Sequence, residues 1–239
     1  MEPQTHLAKL CPTGHIMAGN CQHHKYMRTL ILSSAGVRFP TLRKELLKIL
    51  SKPPSKVKLA HITTASKVET DTAYVDGDRS VFREIGFQAE DIDIGGKTER
   101  ELKKVLAGKD VIYVQGGNTF YLLREIRSSG FANVIKPLLD KGTVYVGVSA
   151  GTYVACATIE MQEWKRAQDD HYGLTDLTGM GFVPFLISVH FNREKYREKV
   201  KEGIKKASLP VRILTDDQAL LIKGNSVTLV GTGKEIKLP

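Results

Sequence analysis

The stretch YVGVSAGTY, residues 145–153, places a serine between two glycines directly after an apolar run. The run TVYVGV, residues 143–148, is typical of a buried strand, and the small residues after it indicate the start of a helix. Flanking glycines allow a cramped strand-to-helix turn that projects the Ser149 hydroxyl outward. At such a helix start the backbone N–H of Ala150 would point toward an oxyanion. The stretch therefore predicts a nucleophilic serine, with a simple small-residue turn as the alternative.

Around this stretch, short β-rich runs alternate with segments of helical periodicity. Strands are predicted at residues 28–34, 57–64, 89–94, 110–115 and 143–148. Helices are predicted at residues 41–52, about 70–85, 98–108 and 119–139, the last broken near Gly130 and Pro137. Such alternation predicts an α/β fold, with a mostly parallel sheet covered by helices on both faces.

After residue 153 the pattern is less regular. A polar stretch is followed by the apolar, strand-like run GFVPFLISVHF at 181–191 and by a charged helix over 192–207. The end of the chain indicates a strand at 211–215, an acidic turn and a hairpin around Gly224 and Asn225. Ligand sites in open α/β sheets lie at the carboxyl ends of the strands, where Ser149 is expected.

Composition is that of one soluble globular domain, with 41% hydrophobic and 26% charged residues. Apolar stretches are far shorter than the roughly 20 residues that a membrane span requires. A net charge of +9 attracts acidic ligands, but no nucleic-acid motif accompanies it, so we expect neither a specific nucleic acid nor a membrane as partner. Three cysteines cannot form a fully paired disulfide framework, which favours the cytoplasm.

Residues 1–26 differ from the rest, and we expect them to be a flexible or accessory extension that precedes a single domain at 27–239. They have no apolar core of the signal-peptide type. Cys11, His15, Cys21 and His24 are zinc-ligand types, but their spacing matches no common zinc module, so no metal site is expected.

A serine hydroxyl needs a base to remove its proton, and a histidine is the usual one. Only His171 and His190 follow Ser149 in the chain. His190 ends the strand-like run, which would carry it to the sheet edge, whereas His171 lies in the polar stretch. We therefore predict His190 as the base.

The base in turn needs an acid. The α/β-hydrolase order would place it between serine and histidine, at Asp169, Asp170 or Asp176, but that gap is too short for the intervening strands and helices of such a fold. The order serine, histidine, acid fits better, with Asp216 or Asp217 after the strand at 211–215.

Three blocks together resemble the peptidase E family of aspartyl dipeptidases, peptidase family S51, whose relatives include the cyanophycinases. They are VQGGNTFYLLREIRSSG (114–130), VGVSAGTYVAC (146–156) and FVPFLISVHF (182–191). The resemblance covers most of the chain from Met27 onward. It implies a fold like the class I glutamine amidotransferase domain, a flavodoxin-like three-layer sandwich. It also implies a serine peptidase that acts at the amino end of short peptides, without a metal or organic cofactor.

By position, the resemblance assigns Ser149 as nucleophile and His190 as general base. It assigns Gly117 and Ala150 as backbone donors of the oxyanion hole, with Asn118 beside them as a substrate-binding residue. The third triad member is a glutamate in the best-known aspartyl dipeptidases, and Asp216 occupies the matching position here. Because aspartate is shorter by one methylene, Asp216 must lie closer to His190, or Asp217 serves instead.

Members of the family recognise an amino-terminal aspartate with a basic side chain from the helix after the catalytic histidine. Arg197 lies at the approximate position, with Arg193 as an alternative and a solvated helix face as the simpler reading. The segment length differs from the dipeptidases, so the preferred residue stays open, as does the oligomeric state, including a homodimer. The leading prediction is a dipeptidase, possibly specific for Asp-X. A cyanophycinase-like hydrolase of β-Asp-Arg units and a non-catalytic binding protein are the alternatives.

Overall fold

The computed structural model of the protein describes residues 28–166 and 169–238. The strands are β1 Thr29–Ser33, β2 Lys58–Ile62, β3 Gln88–Ile92, β4 Val111–Val114, β5 Val144–Val148, β6 Leu186–Ser188, β7 Val211–Ile213, β8 Ala219–Lys223 and β9 Ser226–Val230. The helices are α1 Pro40–Ile49, α2 Ala73–Ile85, α3 Glu99–Leu106, α4 Thr119–Ser129, α5 Phe131–Asp140, α6 Ala150–Tyr153, α7 Met161–Arg166 and α8 Glu194–Ile204. Residues 1–26, with their cysteines and histidines, lie outside the described residues, so the predicted extension and its boundary stay predictions.

A seven-stranded sheet with the order β3-β2-β4-β5-β1-β8-β9 forms the centre of the molecule. Strands β1 to β5 run parallel, and β8 and β9 add an antiparallel hairpin at one side. The predicted α/β fold with a mostly parallel sheet is confirmed. The two-residue turn at Gly224 and Asn225 is also where the sequence placed it.

Apolar side chains fill both faces of this sheet because neighbouring residues of a strand point to opposite sides. Along β5, Tyr145 belongs to one hydrophobic cluster and Val146 to the other. Helices α1 and α2 contribute buried leucine, valine and phenylalanine residues to the second cluster, whereas α3, α4 and α5 contribute to the first. The result is the three-layer sandwich that the sequence predicts.

The carboxyl ends of β4 and β5 meet at one edge of the sheet, where Val114 pairs with Gly147. The turn after β5 passes so close to β4 that a Cβ on Gly151 would lie 2.1 Å from the carbonyl oxygen of Val114. Only a residue without a side chain fits this contact. The two glycines after β4 and the serine after β5 are thereby brought to the same place.

Two details of the sequence prediction are wrong. The first is the break predicted near Pro137, because this proline lies inside α5 without ending it. The break predicted near Gly130 is present, and Gly130 caps α4 in a left-handed conformation. Burial of Val134, Ile135 and Leu139 against the core holds α5 together despite the missing N–H of the proline.

The run at 181–191 forms only the three-residue strand β6, which pairs with β7 in a separate parallel sheet. Pro184 lacks the N–H that a longer ladder would need, and the positive φ of 62° at His190 ends the extended conformation.

None of the helices in the described ranges is both long enough and apolar enough to cross a lipid bilayer.

Candidate active site

Ser149 lies in the turn between β5 and α6 with φ 48° and ψ −102°, a conformation that is strained for a residue with a side chain. Backbone hydrogen bonds hold it there. The Ser149 N–H donates to the Ser33 carbonyl at 3.1 Å, and the Ser149 carbonyl accepts from the N–H groups of Thr152 and Tyr153 at 2.9 and 3.0 Å. The end of β1 and the first turn of α6 therefore fix a backbone geometry that aims the hydroxyl at the cavity described below.

His190 follows β6 and faces Ser149. Its Nε2 lies 3.0 Å from the Ser149 Oγ, and its Nδ1 is hydrogen-bonded to the carboxylate of Asp216. The backbone N–H of His190 donates to the Oγ of Ser34 at 3.0 Å, which anchors the residue to the end of β1. The structure thus brings together the serine, histidine and aspartate that the sequence singles out, in that chain order.

Asp216, rather than Asp217, contacts the histidine. Its second carboxylate oxygen accepts from the Nε of Arg193 at 3.0 Å, and its backbone N–H donates to the side-chain oxygen of Asn192 at 3.0 Å. The side chain of Asp217 instead accepts from the hydroxyls of Thr215 and Thr232. The direct contact answers the concern that an aspartate is one methylene too short.

The remaining histidine candidate lies elsewhere. The His171 ring stacks on Phe120 with a centroid distance of 4.2 Å, and its Nε2 is 3.2 Å from Glu163. It has no contact with Ser149.

Electrostatics suit a proton acceptor at the histidine. Burial lowers the pKa of His190 below its ordinary 6.5, and the hydrogen bond to Asp216 opposes this only in part. Burial alone would raise the pKa of Asp216, but the hydrogen bonds and charges of His190 and Arg193 hold that pKa well below 3.8. At neutral pH the pair is therefore a neutral imidazole beside an ionised carboxylate.

Gly117 and Ala150, the two residues that the resemblance assigns to the oxyanion hole, follow β4 and β5, whose ends meet at the sheet edge. Gly117 follows β4 with φ 136°, and a Cβ there would lie 2.2 Å from the carbonyl oxygen of Ala65. Ala150 is the first residue of α6, beside the nucleophile. Within the described part of the chain, neither the Gly117 N–H nor the Ala150 N–H donates a hydrogen bond.

Asn118 caps the amino-terminal end of α4. It is only 6% exposed, its N–H donates to the Ala65 carbonyl at 2.8 Å, and its Oδ1 accepts from the Tyr121 N–H at 2.9 Å as the N-cap of α4. Its side chain is not among those that line the cavity around Ser149.

A cavity of about 590 Å³ opens above the serine. This volume falls in the range typical of small-molecule sites. Besides Ser149, His190 and Gly117, it is lined by acids, bases and tyrosines: Glu69, Asp71, Arg38, Lys165, Arg166, Arg193, Lys195, Tyr74, Tyr153 and Tyr196. Sequence reasoning missed most of these, because they come from segments without a local motif and meet only in the folded chain.

The two arginine candidates separate clearly. Arg193 lines the cavity, whereas Arg197 is exposed on α8, with its guanidinium 6.0 Å from the centre of the Phe191 ring and outside the cavity. Neither arginine is a free cation in the site, since Arg197 lies outside the cavity and Arg193 is bound to Asp216.

Metal ligands are not gathered at the site. Across residues 28–166 and 169–238, no cluster of three or more His, Cys, Asp or Glu side chains is placed to hold a metal ion.

Known proteins are similar to this chain in sequence and in fold. The model of peptidase family S51 matches residues 29–230. An uncharacterized peptidase of Pasteurella multocida is 31% identical over 178 residues, which cover 74% of this chain and 86% of that protein. Peptidase E of a Nostoc species is 26% identical over 200 residues, covering 79% of this chain and 78% of the relative.

A crystal structure of a candidate peptidase E from Listeria monocytogenes EGD-e superposes with a TM-score of 0.77 at 24% identity, over 87% of this chain and all of that one. At that identity the superposition supports the fold alone. The match to the family model, which spans the nucleophile turn and the histidine and aspartate segments, identifies the family. The chain belongs to peptidase family S51 and is a hydrolase of the serine peptidase class.

Proposed function

We propose that this protein hydrolyses dipeptides and other short peptides at their amino-terminal residue through an acyl-enzyme on Ser149. The observation that carries the proposal is the 3.0 Å contact between Ser149 Oγ and His190 Nε2, with the other ring nitrogen bound to Asp216. A nucleophile, a base and an orienting acid in hydrogen-bond contact are the arrangement that acyl transfer requires.

In the proposed reaction, His190 accepts the hydroxyl proton as the Ser149 oxygen bonds to the scissile carbonyl carbon. The N–H groups of Gly117 and Ala150 bind the oxyanion that forms. His190 then gives its proton to the leaving amine, and the carbon–nitrogen bond breaks. A water molecule, deprotonated by His190, attacks the acyl-enzyme and releases the amino-terminal residue as a free acid while the proton returns to Ser149.

The charges around the cavity support a small zwitterionic substrate. Asp71, and Glu69 beside Arg166, offer carboxylates that suit the ammonium group of a free amino terminus, and the lysines Lys165 and Lys195 suit carboxylates. A preference for Asp-X peptides belongs to the proposal on the strength of the family resemblance. The cytoplasmic location and the homodimer stay predictions.

The test is a dipeptide library assayed with the wild-type protein and with Ser149→Ala. We expect wild-type turnover that is strongest for Asp-X and a loss of at least about 10³-fold in Ser149→Ala. Selective cleavage of β-Asp-Arg would instead identify a cyanophycinase-like hydrolase. Binding of peptides without turnover by the wild type, or full activity in Ser149→Ala, would contradict the proposal.

A further inference from the structure

Lys165 on α7 is a buried cation at the wall of the catalytic cavity. It is 6% exposed, and its Nζ donates to the Tyr153 hydroxyl at 2.8 Å and to the Val189 carbonyl at 2.6 Å. The ammonium also lies 5.3 Å from the ring centre of Tyr196. An ammonium has three N–H donors. Within the described residues, no acceptor is present for the third.

The other basic residues of the cavity are either paired with a carboxylate or exposed to solvent. Arg38 is paired with Asp78, Arg166 with Glu69 and Asp169, and Arg193 with Asp216, as ion pairs or charged hydrogen bonds. Lys195 is exposed and solvated. Among the residues that the structure describes, Lys165 is the cavity cation that is both buried and without a carboxylate in ion-pair distance.

A buried charge without a counter-ion is costly, and this cost is visible in the lysine. Burial, with a smaller repulsion from Arg193, lowers the pKa of Lys165 to about 7, although Asp216 acts in the opposite direction. A carboxylate entering the cavity would restore the charged form and supply the missing acceptor. An anionic group of a ligand is therefore the partner that best complements Lys165.

We infer that Lys165 is a specificity-determining residue that binds a carboxylate of the peptide substrate. The inference rests on the proposed function. It assigns carboxylate recognition to α7 rather than to Arg197 on α8, which lies outside the cavity. Tyr153 and Val189 hold the ammonium at the wall that also carries His190, so the bound carboxylate lies beside the reacting groups.

Two carboxylates of an acidic dipeptide have this chemistry: the side chain of an amino-terminal aspartate and the terminal carboxylate of the second residue. Four peptides separate them: Asp-Leu, Asn-Leu, Asp-Leu amide and Asn-Leu amide. For the wild type, replacing the recognised carboxylate by its amide is expected to lower kcat/KM by about 10- to 100-fold. The same replacement should change kcat/KM by less than about 3-fold in Lys165→Gln.

Lys165→Gln is chosen because its amide N–H can still donate to the Val189 carbonyl. Lys165→Met, which keeps length but no donor, is the second variant, and thermal unfolding checks that both are folded. The matched control is Lys205→Gln, which removes an exposed lysine just after α8 and outside the cavity, and should leave the acid-to-amide ratio at its wild-type value.

The two possible roles of Lys165, supporting the His190 segment and binding a carboxylate, predict different results. If Lys165 only supports the His190 segment, its variants lose activity equally on all four peptides and the wild-type acid-to-amide ratio is retained, which would overturn the inference. Loss of the ratio for either carboxylate supports it and identifies which carboxylate is bound.

Binding separates this inference from the proposed reaction. The affinities of the four peptides are measured by calorimetry with Ser149→Ala and with the double variant Ser149→Ala/Lys165→Gln. Should the wild type turn over no peptide, a carboxylate preference in Ser149→Ala that is lost in the double variant would still establish Lys165 as the receptor. Equal affinities in the two proteins would overturn it, whether or not peptides are cleaved.

Discussion

The two halves of the candidate site are built in different ways. The nucleophile half consists of the turns after β4 and β5, with Gly117, Ser149 and Ala150, and is held by backbone contacts at the edge of a buried parallel sheet. The base half consists of the segments after β6 and β7, which backbone hydrogen bonds also join, but His190 and Asp216 are held to each other, to Ser34 and to Asn192 by hydrogen bonds that involve side chains. A site can thus combine a rigid main-chain framework with a support that depends on individual side chains.

This difference predicts that, apart from the nucleophile Ser149 itself, the side chains that matter most for activity lie in the base half. Asp216→Asn keeps the size of the side chain but removes the charge that orients and stabilises the His190 ring. We expect kcat to fall by about 10⁴-fold, as for the equivalent change in other serine peptidases. Steady-state kinetics on the best dipeptide measures it.

Asp217→Asn is the matched control, because the neighbouring carboxylate contacts Thr215 and Thr232 instead of the histidine. Its kcat should stay within about 3-fold of the wild type. A larger loss in Asp217→Asn than in Asp216→Asn would reverse the assignment of the third residue.

In the nucleophile half the sensitive positions also include glycines whose backbone lies against another strand. Substitution of such a glycine is expected to lower the stability of the protein. Gly151→Ala would place a methyl group against the Val114 carbonyl, so we expect the free energy of unfolding to fall by about 1–3 kcal/mol. Urea denaturation measures the change. Gly77→Ala in α2 is the control, since its methyl group meets only the flexible side chain of Arg38 and helix propensity improves. Equal stability of the two variants would show that α6 can move away from β4.

Ser34 joins the two halves, and a smaller effect is expected there. Its Oγ accepts from the His190 N–H at 3.0 Å and donates to Asp216 at 3.1 Å. Ser34→Ala removes both hydrogen bonds, and kcat/KM should fall by about 10-fold. Ser129→Ala removes another buried hydroxyl, bound to the Glu125 carbonyl, and should leave kcat/KM unchanged. Wild-type activity in Ser34→Ala would mean that the base half positions itself without this link.

The smallest effect is a displacement of the pH profile. His190 must be neutral to accept the proton, so activity rises as pH increases through its pKa. Because burial lowers this pKa below 6.5, the acidic limb of kcat/KM should have its midpoint below pH 6.5. The profile of the wild type over pH 4 to 8 measures it, and a midpoint above 6.5 would contradict the description of the histidine as desolvated.

The sequence predicts the nucleophile half better than the base half, because only the nucleophile half is formed by residues that are close together in the chain. Ser149 and its neighbouring glycines form a local motif, because a tight strand-to-helix turn restricts residue types within a few positions. Spacing alone did not distinguish Asp216 from Asp217, and only the family resemblance favoured Asp216, because the choice depends on the long-range contact with His190. Lys165 had no local signal, because its burial arises from contacts with Tyr153 and Val189, which are distant in sequence.

The parallel sheet itself was predictable from the alternation of apolar strands and periodic helices. The short length of β6 was not, because the apolar run at 181–191 is used for packing rather than for a ladder. Burial and strand formation share one sequence pattern, and only pairing partners distinguish them.

The distances along the chain between Ser34 and the residues that it binds also bear on when the site can assemble during synthesis. Ser34 lies 156 residues before His190 and 182 residues before Asp216, and β8 must pair with β1 beside it. The nucleophile turn is complete once residue 153 has been made, long before the histidine and aspartate segments exist. A chain that ends before residue 190 therefore carries the serine without the histidine, and we expect such a chain to have no peptidase activity.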